Sequence, residues 1–108
     1  MAENAQLRTV NEPLPRLLAL LRQHLPALRE RFHVRELWLF GSYVRGEQHR
    51  RSDLDVLVEF EEGPLTLLQF VALENYLSDL LQVKVDLVEK GALKPGIACR
   101  LVKEIVQV

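Results

Sequence analysis

Cysteine occurs once in the 108 residues, at Cys99. No disulfide can close within the chain, and a zinc site built on cysteines is excluded. A lone thiol suits a reducing compartment, so the expected location is the cytoplasm. Long apolar runs are missing as well. Those present are short, such as Leu37 to Phe40, far below the roughly 18 residues that span a bilayer. Met1 to Asn11 is polar and lacks the apolar core of a secretory signal. No membrane association is therefore expected. An excess of one charge is absent too: fourteen Lys and Arg stand against fifteen Asp and Glu, a net charge of −1. Nothing global favours a nucleic-acid backbone, so free nucleic acid is not the expected partner. Any phosphate chemistry has to come from a local site. Internal repeats and low-complexity tracts are lacking.

What remains is an ordinary globular balance, 48% hydrophobic and 27% charged. The length fits one domain, with residues 1–12 as a tail and 13–108 as the folded unit. Leu14, Leu17, Leu18, Leu21, Leu25 and Leu28 recur at helical spacing. Pro26 interrupts that pattern, and a kink or break is expected there, followed by a turn to about Arg31. Val34 to Phe40 reads as a strand ending at Gly41. A short helix is expected from Ser42 as N-cap, then a polar loop from Gly46 to Ser52. Asp53 to Phe60 reads as a second strand, closed by Glu61-Glu62-Gly63-Pro64. Leu65 to Leu81 predicts the longest helix, with Leu67, Phe70, Val71, Leu77, Leu80 and Leu81 as its apolar face. Val83 to Val88 predicts a third strand. Lys94 to Val106 predicts a closing helix striped by Leu93, Ile97, Leu101 and Ile105. Helices alternating with strands imply an α/β fold.

The chemistry concentrates in Gly41-Ser42-Tyr43-Val44-Arg45-Gly46, followed after five residues by Ser52-Asp53-Leu54-Asp55. Asp53 and Asp55 are two apart at a strand start, so both side chains point the same way. Two such charges repel unless neutralised, and a hard divalent cation, Mg²⁺ or Mn²⁺, does so with oxygen ligands. Gly41 permits close backbone approach, and Ser42 brings a hydroxyl to a helix start whose N–H groups suit a phosphate. Arg45, at i+3 from Ser42, can reach a phosphate or pair with one of the carboxylates. Asp86 stands inside the apolar run Val-Asp-Leu-Val and needs a partner. If its strand lies beside the second, three carboxylates share one site suited to phosphoryl or nucleotidyl transfer.

This joint pattern, Gly41-Ser42, Arg45-Gly46, Ser52-Asp53-Leu54-Asp55 and the later Asp86, resembles the DNA polymerase β-like nucleotidyltransferase superfamily. Within it the chain is most similar to the minimal nucleotidyltransferases, over roughly residues 33 to 105. The resemblance implies a mixed three-stranded sheet covered by helices. It implies that Asp53 and Asp55 hold two Mg²⁺, and that Asp86 completes one metal site and helps deprotonate an acceptor hydroxyl. Gly41 and Ser42 would hold the β- and γ-phosphates of a nucleoside triphosphate, with ATP the favoured donor. Minimal nucleotidyltransferases pair with HEPN-domain proteins, in which the HEPN protein is an RNase toxin and its partner an antitoxin. AMP transfer from ATP to a tyrosine of such a toxin is the activity implied, within a homo- or hetero-oligomer.

Two other functions compete. A non-catalytic module could neutralise its partner by masking it, leaving the acids structural. An enzyme acting on a small molecule such as an aminoglycoside is disfavoured, since no segment remains to build an acceptor pocket. Locally, Asp86 could be a surface residue on an edge strand, and Arg45 could merely cover the sheet edge with its stem. His49, Arg50 and Arg51 read as a solvated basic loop. Tyr43, Trp38 and Phe40 read as core residues, Cys99 as packed on the last helix, and His24 and His33 have no partner at metal spacing.

Overall fold

The computed structural model describes residues 14–47, 52–62, 66–92 and 105–108. Its elements are α1 (Leu14–Phe32), β1 (Val34–Phe40), α2 (Ser42–Arg45), β2 (Leu54–Phe60), α3 (Leu67–Leu81), β3 (Val85–Glu89), a 3₁₀ turn (Lys90–Ala92) and β4 (Val106–Gln107). The strands form one sheet in the order β3-β2-β1-β4. β1 runs antiparallel to both β2 and β4, whereas β2 and β3 are parallel. The sheet is mixed, as expected, with a fourth short strand beyond the three anticipated. The closing helix expected to reach Val106 does not extend there, because Val106 pairs with Leu39 in β4. Residues 93–104, and Cys99 with them, lie outside the described residues.

Alternation along the strands gives the sheet two different faces. Leu37 and Leu39 of β1, Leu54, Val56 and Val58 of β2, and Val85 and Leu87 of β3 join one buried cluster. Leu17, Leu21 and Leu28 of α1 and Leu73, Leu77 and Leu81 of α3 complete it. Each fully buried leucine contributes about 2 kcal/mol of transfer free energy. The register places Phe40, Asp55 and Asp86 in one row of the opposite face, and Trp38, Leu57 and Val88 in the next. Trp38 and Phe40 are therefore only half-buried and stand outside the helix-packed cluster. Lys90 covers part of this face, its Nζ 5.0 Å from the centre of the Trp38 ring and 3.8 Å from Glu59.

α1 runs unbroken through Pro26, contrary to the expected break. Proline removes the N–H that would bond the Arg22 carbonyl. Both residues are exposed, so water can serve that carbonyl, while Leu21 and Leu28 on either side are anchored in the core. α3 also departs from expectation. Leu67 and Val71 are 77% and 41% exposed, and the stripe that packs is Leu73, Leu77 and Leu81 at i, i+4 steps, with Phe70 and Leu80 partly buried. A helix rich in leucine on several sides does not reveal its inner face by spacing alone.

Thr66 starts α3 with a reciprocal cap. Its Oγ1 accepts the Gln69 N–H at 3.1 Å, and Gln69 Oε1 accepts the Thr66 N–H at 3.1 Å. Thr66→Ala is expected to lower unfolding free energy by about 1 kcal/mol, measured by urea denaturation. Among the described residues, no helix is long and apolar enough to cross a membrane.

Candidate active site

The chain leaves β1 through Gly41, whose φ of +81° and ψ of −154° are open to glycine and strained for other residues. A Cβ here would collide with the Asp55 carboxylate, with Asp55 Cγ only 3.0 Å away. The requirement for glycine thus comes first from the neighbouring acid. Backbone and carboxylate share space that any side chain would fill.

α2 begins at once. The Val44 and Arg45 N–H groups both donate to the Gly41 carbonyl at 3.1 Å, so Gly41, not Ser42, is the N-cap. Ser42 becomes the first helical residue, at a helix start whose earliest N–H groups have no helical acceptor. Tyr43, 4% exposed, plugs α2 into the core as expected, and Gly46 ends the helix with φ +74°. Of the polar loop expected from Gly46 to Ser52, residues 48–51, including His49, Arg50 and Arg51, lie outside the described residues.

The antiparallel pairing of Phe40 with Asp55 carries β2's acid to the end of β1. The parallel pairing of Asp55 with Asp86 then sets the third acid beside it. Asp86 is exposed on a strand at the sheet edge, so the edge position and the shared site both hold. Asp53 stands just before β2 and half-buried. The carboxyl of Asp55 is pushed up to about 6, chiefly by burial, then by the charges of Asp86 and Asp53; Arg45 opposes the rise. The sequence-predicted acids therefore meet electrostatically at Asp55.

Such an accumulation of negative charge fits a divalent cation. Among the described residues, no three His, Cys, Asp or Glu side chains form a ready-made metal cage. Mg²⁺ commonly takes part of its oxygen shell from substrate phosphates and water. Arg45 donates from Nε to Glu47 Oε1 at 2.8 Å. The sequence reading did not single out Glu47, because an acid two residues beyond an arginine carries no signal before the turn at Gly46 is known. This exposed pair adds little stability; the Arg45 charge acts separately on Asp55, lowering its carboxyl against the rise from burial.

Comparison with known proteins agrees with the geometry. Residues 21–107 match the family described as nucleotidyltransferase domain. Over 95 residues the chain is 53% identical to the protein adenylyltransferase MntA of Thermococcus cleftensis, covering 88% of this chain and 95% of that one. A solved structure described as a minimal nucleotidyltransferase superposes with a TM-score of 0.71 at 37% identity, covering 84% of this chain and 92% of the other. A toxin–antitoxin crystal structure with AMP-PNP gives 0.62 at 30% identity, covering 84% of this chain and 68% of that one. With Gly41 set against Asp55 and Asp86 beside it, the chain belongs to the nucleotidyltransferase domain family, among the minimal nucleotidyltransferases related to MntA.

Proposed function

We propose that the protein transfers AMP from ATP to a tyrosine hydroxyl of a HEPN-domain partner in a Mg²⁺-dependent reaction, and thereby acts as an antitoxin in the cytoplasm. The observation that carries this reading is the row Phe40–Asp55–Asp86 with Gly41 closed against the Asp55 carboxylate. The relatives support it: one is named a protein adenylyltransferase, and a structural neighbour is a toxin–antitoxin structure with AMP-PNP.

In this reading Asp53 and Asp55 hold the cation, and Asp86 shares it. Bound there, Mg²⁺ supplies positive charge against the triphosphate. Gly41 and Ser42 at the start of α2 receive the β- and γ-phosphates, and Arg45 adds charge beside them. The acceptor oxygen forms a bond to the α-phosphorus as the bond to the bridging oxygen breaks, and pyrophosphate leaves. The hydroxyl proton passes to Asp86, whose exposure leaves it open to an incoming acceptor.

Masking without catalysis remains a second reading. The exposed Leu67 and Leu68, 77% and 82% accessible, offer apolar surface of the kind a masking protein uses. Co-expression with the partner toxin separates the two. Catalysis predicts that Asp53→Ala with Asp55→Ala loses growth rescue while still binding the partner; rescue at parental level would establish masking.

A further inference from the structure

β3 is an outer strand of the sheet, and it carries Asp86. Its inner side is held by β2. The Leu54 N–H donates to the Lys84 carbonyl at 2.8 Å, which turns the backbone of residues 84, 86 and 88 toward β2 and that of 85, 87 and 89 outward. An outer strand held on one side only is free to fray or slide. Here the other side is closed by α3. Ser78 Oγ accepts the Val85 N–H at 3.1 Å, and Glu74 Oε2 accepts the Leu87 N–H at 3.0 Å.

The spacing makes this a matched pair. Residues 74 and 78 are i, i+4 and lie on one face of the helix. Residues 85 and 87 are i, i+2 and present their N–H groups along one edge. Asp86 falls between the two clamped residues. α3 is itself fixed by the Thr66–Gln69 cap and by Leu73, Leu77 and Leu81 in the core. Glu74 is half-buried, and its carboxylate gives the Leu87 N–H a charged acceptor, a stronger bond than a neutral one.

We propose that Glu74 and Ser78 are positioning residues for nucleotidyl transfer. They lock β3 in place so that Asp86 stays level with Asp55, and their loss loosens the third carboxylate without touching the nucleotide. This inference rests on the role of Asp86 given above.

The test uses the full chain with Ser78→Ala, Glu74→Ala, the two combined, Glu74→Gln and Asp86→Asn. Four quantities are read: amide exchange at Val85 and Leu87, Mn²⁺ affinity by electron paramagnetic resonance, kcat for transfer, and KM for ATP. The double variant is expected to expose both amides to exchange and to weaken Mn²⁺ binding and kcat by about tenfold each, with KM for ATP within about twofold. Glu74→Gln keeps an acceptor oxygen and should stay near the parent in every readout. If the double variant does not fold, the single variants carry the same comparison with smaller shifts. Faster exchange with unchanged Mn²⁺ affinity and kcat, while Asp86→Asn is impaired, overturns the positioning role alone. An unimpaired Asp86→Asn overturns the assignment of Asp86 and this inference with it.

Discussion

Replacing Asp55 by asparagine is expected to cut nucleotidyl transfer by about a thousandfold and, in metal-free buffer, to make the protein more stable. The loss follows from removing the acid at which all three carboxylates converge. A thousandfold corresponds to about 4 kcal/mol of transition-state stabilisation, within what a divalent cation supplies. The gain in stability follows from the same convergence. Folding raises the Asp55 carboxyl from 3.8 to about 6, by burial first and by its acidic neighbours second. Its charged form is thus penalised in the folded state. That penalty is fully present above about pH 6, shrinks as pH falls toward 3.8, and is gone below it. An uncharged amide escapes it. Solvent reaches this half-buried group, so the expected gain is about 1 kcal/mol rather than the full value of the shift. Thermal melts of parent and variant between about pH 4 and pH 8 should diverge as pH rises and meet at the acid end. Equal stability across that range would show that neither burial nor the acidic neighbours penalise the charged Asp55 in the folded chain. Added Mg²⁺ should raise the melting temperature of the parent and leave Asp55→Asn nearly unmoved.

Gly41→Ala is the second large effect, with the opposite sign for stability. The new methyl meets the Asp55 carboxylate and the backbone sits at φ +81°. Left-handed strain in a non-glycine residue costs about 1–3 kcal/mol, and the clash must be relieved by moving either α2 or Asp55. Transfer should fall by about a hundredfold or more, because near-ångström misplacement of a site costs that much. A double-mutant cycle with Asp55→Ala isolates the clash. The stability loss from Gly41→Ala should be smaller when residue 55 is alanine, with a coupling of about 1 kcal/mol. Additive losses would mean that the strain lies in the backbone alone.

Much of this site was legible in the sequence, for identifiable reasons. The strand Val34–Phe40 was found to the residue because its apolar body starts where the helical leucine pattern stops and ends at Gly41. The alternation Asp53–Leu54–Asp55 put two acids on one side, and the apolar run around Asp86 marked a strand whose acid needed a partner. Distances across the sheet were not legible. Only the register shows that Asp55 pairs with both Phe40 and Asp86, and hence that Gly41 yields to an acid before it yields to any ligand. The inner face of α3 was misjudged because leucines at 67, 73, 77, 80 and 81 satisfy more than one helical stripe. β4 was missed because two residues carry no period of their own. The clamp on β3 by Glu74 and Ser78 joins residues that only the packing of helix on strand brings together.

The central claim is that this acid row moves a nucleotidyl group, and its most direct test follows the α-phosphate. The parent protein, its HEPN-domain partner and Mg²⁺ are incubated with ATP labelled at the α-position and, separately, at the γ-position. The account predicts α-label on a partner tyrosine, γ-label only in released pyrophosphate, and neither with Asp53→Ala and Asp55→Ala combined. Label arriving on the partner from the γ-position, or α-label arriving undiminished with both acids removed, would contradict it.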